Sequence, residues 1–512
     1  MKTKQSFFVR AGIFVLYAVF GLILFATIVL HRLTLWFMHT FTISIREIIF
    51  TVKSPLKGAD TNFLKSAIAF CDIKSLVFFV VLYVIAVCAF RYVFKRVCMF
   101  VTISLKDRKC VSINIGGTIL LLCVAGIVYA AVYSLKDADK ATHFSEYIAL
   151  QKNQTHIYEE KYVQPTSDII TGKGKNLIYI YMESMETTYA SKDVGGRQES
   201  VSYMPCLTRL AEENVNFSPS DAPGGFHTCS GAGWTMGALF TTSTGVPFSF
   251  PVDGNSMDDR TTFAHGITAI GDVLAQKGYT QEFLCGSDGN FAGRKQFFEQ
   301  HGNYTVFDLF TAREKGYIAP DYAVWWGFED EILYRIAKDE VTRLAAQEQP
   351  FNFTMLTVDT HHVGGYKCNI CGDEYSEQLA NVVACADKQV YEFVRWCQQQ
   401  DFYKDTVIVI VGDHPRMDSI LVDGISYYDR TVYNCFINAQ KSAQKSVKNR
   451  ECTTIDMFPT VLSAMGFTIE DDHLGLGTDL FSASETYAEE MGFDALNAEL
   501  SKYSKFYIDN FS

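Results

Sequence analysis

The run AGIFVLYAVFGLILFATIVL, Ala11 to Leu30, holds 20 residues without a charge. A helix of that length covers about 30 Å, the hydrocarbon thickness of a bilayer. The front of the chain is therefore expected in a membrane. SLVFFVVLYVIAVCAF (Ser75 to Phe90) and INIGGTILLLCVAGIVYAAVYSL (Ile113 to Leu135) repeat the pattern and predict two more spans. The first run is too long for a secretory apolar core and lacks a small-residue cleavage site, so it reads as an anchor. Leu33 to Val52 is also apolar but contains Arg46 and Glu47, which suits an interfacial or re-entrant segment.

Charge separates this front from the rest of the chain. Through Leu135 there are 15 Lys/Arg against 4 Asp/Glu, a net of +11, although the whole 512-residue chain is at -12. The remainder is strongly acidic, which argues against nucleic acid as a partner. Lys2, Lys4 and Arg10 precede the first span, and Arg91, Lys95, Arg96, Lys106, Arg108 and Lys109 lie between the second and third. Placing both groups in the cytoplasm puts the large C-terminal part outside. Six Lys/Arg between Arg32 and Lys74 oppose this orientation, and a fourth span would reverse it. The expected organisation is a membrane domain at 1–135, a polar linker at 136–175, a catalytic domain at 176–485 and a tail at 486–512.

From Asn176 strand and helix patterns alternate. NLIYIYM, YTQEFLC, FNFTMLTV, TVIVIV and TVYNCFI read as buried strands. Four longer segments, starting at Gly266, Phe328, Glu377 and Thr454, show helical periodicity. The alternation predicts an α/β domain with helices packed on a mostly parallel central sheet. Nine of the 14 cysteines lie beyond Leu135. Cys368, Cys371 and Cys385 cluster, and a disulfide among them is the expectation outside the cytosol, because CNIC has no second Cys/His pair at finger-like spacing.

Two strands end on acids. NLIYIYM runs straight into Glu183, and TVIVIVG into Asp413 and His414. In open α/β sheets chemistry gathers beyond the carboxyl ends of the strands. Two carboxylates and one imidazole at the same edge suit Mn²⁺, Mg²⁺ or Zn²⁺. Three ligands leave room for a nucleophile. Thr235, in GAGWTMGALFTTSTGVPF, follows small residues and opens a helix-like stretch, so its hydroxyl is placed among backbone N–H groups that suit a phosphate.

These motifs, with TVDTHHVGGY between them, resemble the membrane-anchored phosphoglycerol transferases of the alkaline phosphatase/sulfatase superfamily. The likeness runs from Tyr158 to Phe481 and includes IYEEKYVQP and HLGLGTDLF. It is strongest to the phosphoglycerol transferase I type, with lipoteichoic acid synthases as cousins. The resemblance implies a sulfatase-like fold and a single divalent ion, with Mn²⁺ or Mg²⁺ expected first and Zn²⁺ second. It makes Glu183, Thr235, Asp413 and His414 the metal ligands and Thr235 also the nucleophile. His361 and His362 match substrate histidines, with His362 preferred as the proton donor to the leaving group. Arg294 falls where the synthases bind glycerophosphate, Asp288 lies near a glycerol-binding acid, and Trp326 matches a recurrent tryptophan. Ala292 replaces an aromatic of the synthases. Cys229, in CSGAG, lacks the proline and arginine of the C/S-x-P-x-R context needed for a formylglycine, so sulfate ester hydrolysis is not expected.

The implied reaction is transfer of phosphoglycerol from phosphatidylglycerol to a glycan or glycerophosphate acceptor through a phospho-threonine. The implied location is the bacterial cell (inner) membrane, multi-pass, with the catalytic domain outside. Two rival readings remain open: a phosphoethanolamine transferase acting on lipid A or glycan with the same site, and an inactive sensor or binding protein that keeps the fold.

Overall fold

A computed structural model describes residues 2–41, 48, 62–96, 100–103, 111–250 and 263–511. Its two compact units are a front unit, Met1–Phe41 with Thr61–Ser145, and a second unit from Glu146 to Ser512.

In the front unit, helix Lys2–Thr40 contains the whole first expected span and continues through Leu33. Its stretch Ala18–Met38 is long and apolar enough to cross a membrane, and among the described residues it alone passes that test. The second expected span lies in helix Ile73–Arg96, where Lys74 and Arg91 bracket an apolar run that is too short. Most of the third lies in helix Ile115–Thr142, which adds no second crossing stretch among the described residues. Three spans were expected, so the structure supports the membrane helix for one of them. Most of the expected interfacial segment beyond Phe41, and the basic positions Lys106, Arg108 and Lys109, lie outside the described residues.

The second unit is built on seven strands: β1 Asn176–Met182, β2 Gly225–Phe226, β3 Thr280–Cys285, β4 Thr305–Phe307, β5 Phe351–Leu356, β6 Thr406–Gly412 and β7 Val432–Ile437. Their order across the sheet is β2-β7-β6-β1-β5-β3-β4. Strands β6, β1, β5, β3 and β4 are mutually parallel, whereas β7 runs antiparallel to β6 and to β2. The sheet is therefore mostly parallel, as expected, and is made mixed by β7. An apolar run such as TVYNCFI shows that a strand is buried but carries no sign of its direction. The two-residue β2 and three-residue β4 were too short to stand out in the sequence.

Alternation along β1 divides the core. Leu177, Tyr179 and Tyr181 face one layer with helices Thr235–Thr244, Arg294–Gln300 and Met457–Met465. Ile178, Ile180 and Met182 face the other, against helices Pro205–Glu213, Asp330–Ala345 and Gln378–Gln398. Both faces are fully covered, so each strand reads as a continuous apolar run, and each such side chain contributes about 1.5–3 kcal/mol by burial. The segment 486–512 takes part in this fold through helices Tyr487–Met491, Phe493–Ser501 and Lys505–Phe511. Tyr507 and Phe511 pack on Tyr158 and Tyr162, with ring centroids 5.4 and 4.9 Å apart.

Candidate metal and phosphate site

Register brings the acids together. Strands β1 and β6 pair in parallel with Met182 opposite Gly412, so Glu183 and Asp413 leave the sheet side by side. The Asp413 N–H still donates to the Met182 carbonyl at 3.1 Å. On the other side of β1, β5 ends at Leu356 opposite Tyr181 and delivers Thr357 to His362 to the same edge. The Thr357 hydroxyl accepts from the Glu183 N–H at 3.0 Å. Helix Thr235–Thr244 presents its first residue there, held to β1 by Tyr181 OH against Thr242 Oγ1 at 2.8 Å.

Four donor groups converge. Thr235 Oγ1 donates to Glu183 Oε2 at 3.2 Å and lies 3.4 Å from His414 Nε2. His414 Nε2 is 3.5 Å from Glu183 Oε1 and 3.5 Å from Asp413 Oδ2. A four-coordinate ion bonded at about 2.1 Å separates its ligand atoms by about 3.4 Å. The donor set therefore fits a divalent ion. His414 is oriented for this role, because its Nδ1 pairs with the Pro415 carbonyl at 2.9 Å and so leaves Nε2 as the lone pair facing the acids. Asp413 Oδ1 accepts the N–H groups of Ser184 and His414, both at 2.7 Å, while its Oδ2 is buried without a hydrogen-bond donor. A buried carboxylate oxygen in that state is what a cation would complete.

Ser184 was not singled out in the sequence. It takes φ +51°, a left-handed conformation that is uncommon outside glycine. That turn lets its N–H reach Asp413 and its hydroxyl reach Glu183 Oε1 at 2.6 Å. Also unassigned in the sequence were Glu186, Arg416, Asp418 and Arg430. Arg430 grips Glu186 with two bonds of 2.6 and 3.0 Å, and Glu186 accepts the Arg416 N–H at 2.9 Å. Arg416 pairs with Asp418 and donates to the Thr360 carbonyl at 2.6 Å, which ties the His361 loop to the Asp413 loop. For Glu186, Arg416 and Asp418 the only signal in the sequence is position, within three to five residues of the acids, and Arg430, farther along the chain, has none.

The electrostatics follow from burial. Burial, reinforced by Glu183, pushes the Asp413 carboxyl up to about 7, against the pull of His414. Burial would also raise Glu183, but His361, His414 and the Ser184 and Thr235 hydroxyls outweigh it and hold Glu183 below the usual range. Burial lowers His361, and lowers His362 well below the ordinary imidazole value with help from His361 and Arg416. Both histidines are therefore neutral at pH 7. His361 Nδ1 pairs with the His362 carbonyl at 2.7 Å, and the two rings stack at 4.2 Å.

The remaining expected residues form a side wall. Arg294 is buried, and its guanidinium donates to Ser287 Oγ at 2.9 Å and to the carbonyls of Asp288 and Phe291 at 2.8 and 3.1 Å. Phe291 meets Trp326 at 5.2 Å, and Trp326 meets His361 at 4.7 Å, so the structure joins Arg294, Trp326 and His361 in one file. Phe291 occupies the place next to Ala292 and supplies an aromatic ring to it. The Asp288 carboxylate is used by its own turn, accepting from Asn290 N and Nδ2 at 2.9 and 3.0 Å.

The sequence model of the family described as Sulfatase matches residues 175–467, more than half of the chain. The chain belongs to the sulfatase family. Within the family, Cys229 is buried here and its thiol is pushed up to about 11 by that burial, so it is no nucleophile at neutral pH. Phosphoglycerol transferase I of Xanthomonas axonopodis pv. citri (strain 306) is 31% identical over 340 residues, covering 65% of this chain and 44% of that protein. Phosphoglycerol transferase I of Salmonella choleraesuis (strain SC-B67) is 29% identical over 368 residues, covering 69% and 45%. This sulfatase-family chain thus spans less than half the length of these relatives. Among solved structures, the lipoteichoic acid synthase LtaP from Listeria monocytogenes aligns with 65% of this chain and 83% of its own, at 19% identity and a TM-score of 0.47.

Proposed function

We propose that this sulfatase-family protein transfers phosphoglycerol from a phosphatidylglycerol headgroup to a hydroxyl of a cell-envelope glycan or glycerophosphate polymer, with Thr235 as the covalent relay. The observation that carries the proposal is the position of Thr235 Oγ1, at the first turn of a helix and 3.2 and 3.4 Å from Glu183 and His414. The names of the relatives support the choice of group.

A divalent ion, Mn²⁺ or Mg²⁺ first and Zn²⁺ second, would be held by Glu183, Thr235, Asp413 and His414 and would supply Lewis-acid activation of hydroxyl and phosphoryl oxygen. The protein supplies the rest. The first-turn N–H groups of helix Thr235–Thr244 have no intrahelical acceptors and favour an anionic phosphate. In the first half-reaction a bond forms from Thr235 Oγ1 to phosphorus while the bond from phosphorus to the diacylglycerol oxygen breaks. The proton that threonine loses balances the one the leaving oxygen gains, and the His361–His362 pair carries it. An anionic diester beside these neutral imidazoles raises their proton affinity as it binds. In the second half the acceptor hydroxyl loses its proton, its oxygen bonds phosphorus, and Thr235 Oγ1 departs. His362 remains the preferred proton donor, with His361, whose charge helps to hold Glu183 below the usual range, stacked beside it. Arg294, Phe291 and Trp326 would border the glycerol end. Diacylglycerol returns to the membrane that holds the front unit, with the catalytic unit on the outer side of the bacterial cell membrane.

Thr235→Ala in the full chain should abolish diacylglycerol release from labelled phosphatidylglycerol while leaving the circular dichroism spectrum unchanged. Trapped wild-type protein should carry the added mass of glycerophosphate on Thr235. Full turnover by the variant ends the relay, and an adduct with the mass of phosphoethanolamine replaces the donor.

A further inference from the structure

Six residues beyond His362 the chain makes a second constellation that the transfer chemistry does not use. Cys368 Sγ lies 3.3 Å from Cys371 Sγ and 3.9 Å from Cys385 Sγ. All three cysteines are free, so the disulfide expected among them is absent, and separations this long lie well outside the roughly 2.05 Å of an S–S bond. The longer one, 3.9 Å, fits a different geometry. Thiolates bonded at about 2.3 Å to one tetrahedral ion stand about 3.8 Å apart. The three sulfurs also lie within 4.8 Å of one another, so a single ion can reach them all.

The surroundings call for a cation. Asp359, on the same loop, is buried with neither carboxylate oxygen hydrogen-bonded. Burial, then Asp330 and then Cys368, push its carboxyl well above the usual range. Asp330 is buried as well and accepts the N–H groups of Val358 and Asp359 at 2.8 and 3.1 Å. Among the described residues no Lys or Arg makes an ion pair with Asp330 or Asp359. Gln389 Nε2 donates to Cys385 Sγ at 3.5 Å, an outer contact of the kind that steadies a metal-bound thiolate.

We propose that Cys368, Cys371 and Cys385 hold a structural Zn²⁺ ion that clips the loop bearing His361 and His362 to helix Gln378–Gln398. Soft thiolate donors select zinc over the hard ions that suit the carboxylate site. Binding is not a redox step: the cysteine thiols release their protons as their sulfurs bond the ion. Cys368 and Cys371 sit on the loop, and Cys385 projects from the helix. Gln378 Nε2 already bonds the Gly365 carbonyl at 2.8 Å, so the clip closes a contact that begins at the helix N-terminus. The geometry of this cluster is independent of which group Thr235 transfers.

The test is a titration of reduced, metal-stripped full-length protein in detergent with Co²⁺ alone. A thiolate-to-cobalt charge-transfer band in the near ultraviolet should grow to one equivalent and vanish when Zn²⁺ is added. A site of carboxylate, hydroxyl and imidazole donors gives no such band, so the two sites are told apart in one sample. Cys385→Ser should lose most of the band, and protein isolated without chelator should contain zinc protected from thiol reagents. Should the serine variant fold poorly, the wild-type spectrum and zinc content decide alone. Three reactive thiols without the band, or a disulfide joining two of these cysteines in the zinc-free isolated protein, would overturn the clip.

Discussion

At the residue scale the site depends on groups that water cannot reach. Arg416 and Asp418 are fully buried and paired, and Arg416 spans the two loops that carry His361 and Asp413. Removing one partner of such a pair strands a charge, at a cost of about 3–5 kcal/mol. Asp418→Ala should therefore lower the urea midpoint of unfolding by that much stability, and a change below about 1 kcal/mol would show that the pair matters little. Asp413 gives a pH prediction. Its carboxyl holds a proton below about 7 and must lose it to bind an ion. Mn²⁺ affinity, followed by electron paramagnetic resonance of the free ion, should fall about tenfold per unit as pH drops below about 7 and level off above it. A flat affinity across that range would remove Asp413 from the ligand set. Glu183, Asp413 and His414 were legible in the sequence because each follows an apolar strand without a gap. Ser184, Glu186, Arg416 and Arg430 were not, since a buried polar residue next to an acid looks the same in sequence as a surface loop. The cysteine trio was seen, but sequence spacing cannot distinguish a sulfur–sulfur bond from three sulfurs around an ion.

Strands and helices set how accurately these side chains meet. Gly412 is the last residue of β6, and a Cβ there would fall 1.8 Å from the Met185 carbonyl oxygen. Gly412→Ala must push β6 away from the turn after Glu183, so the acids on the two strands separate. The expected result is folded protein with at least about tenfold weaker Mn²⁺ binding, checked by the same titration beside a circular dichroism spectrum. Unchanged affinity would mean that the turn gives way without moving the ligands. The five long strands were evident because both their faces are covered, which makes each an unbroken apolar run. The direction of β7 was hidden for the same reason, as burial on two sides erases any difference between parallel and antiparallel neighbours. Helix Thr235–Thr244 was legible at its start through the small residues of GAGW. Its close seating on the preceding turn depends on Gly237, where a Cβ would lie 2.2 Å from the Gly231 carbonyl oxygen, an approach visible only in three dimensions.

On the scale of the molecule, the front unit exposes apolar side chains along helix Ile73–Arg96, among them Val77, Phe78, Val80 and Ile85. Such a surface needs lipid or detergent to cover it. Multiple spans were expected from hydropathy, and one crossing stretch, Ala18–Met38, stands among the described residues. The catalytic unit is closed by contacts from its two ends, residues 157–162 and 505–511. Tyr507 also donates to the Pro247 carbonyl at 2.9 Å and accepts from the Ser249 N–H at 3.1 Å. Removing residues 505–511 should cost several kcal/mol through lost aromatic burial, read as a fall of at least about 4 °C in melting temperature. An unaltered melting curve would show that the last helix is dispensable. The same clasp dictates an order of events during synthesis. A nascent chain that has emerged only as far as His414 already owns every proposed ligand and the proposed nucleophile, but residues 505–511, which pack on Tyr158 and Tyr162, have not been made. The proposed site should therefore mature late, once residues 505–511 can pack on Tyr158 and Tyr162.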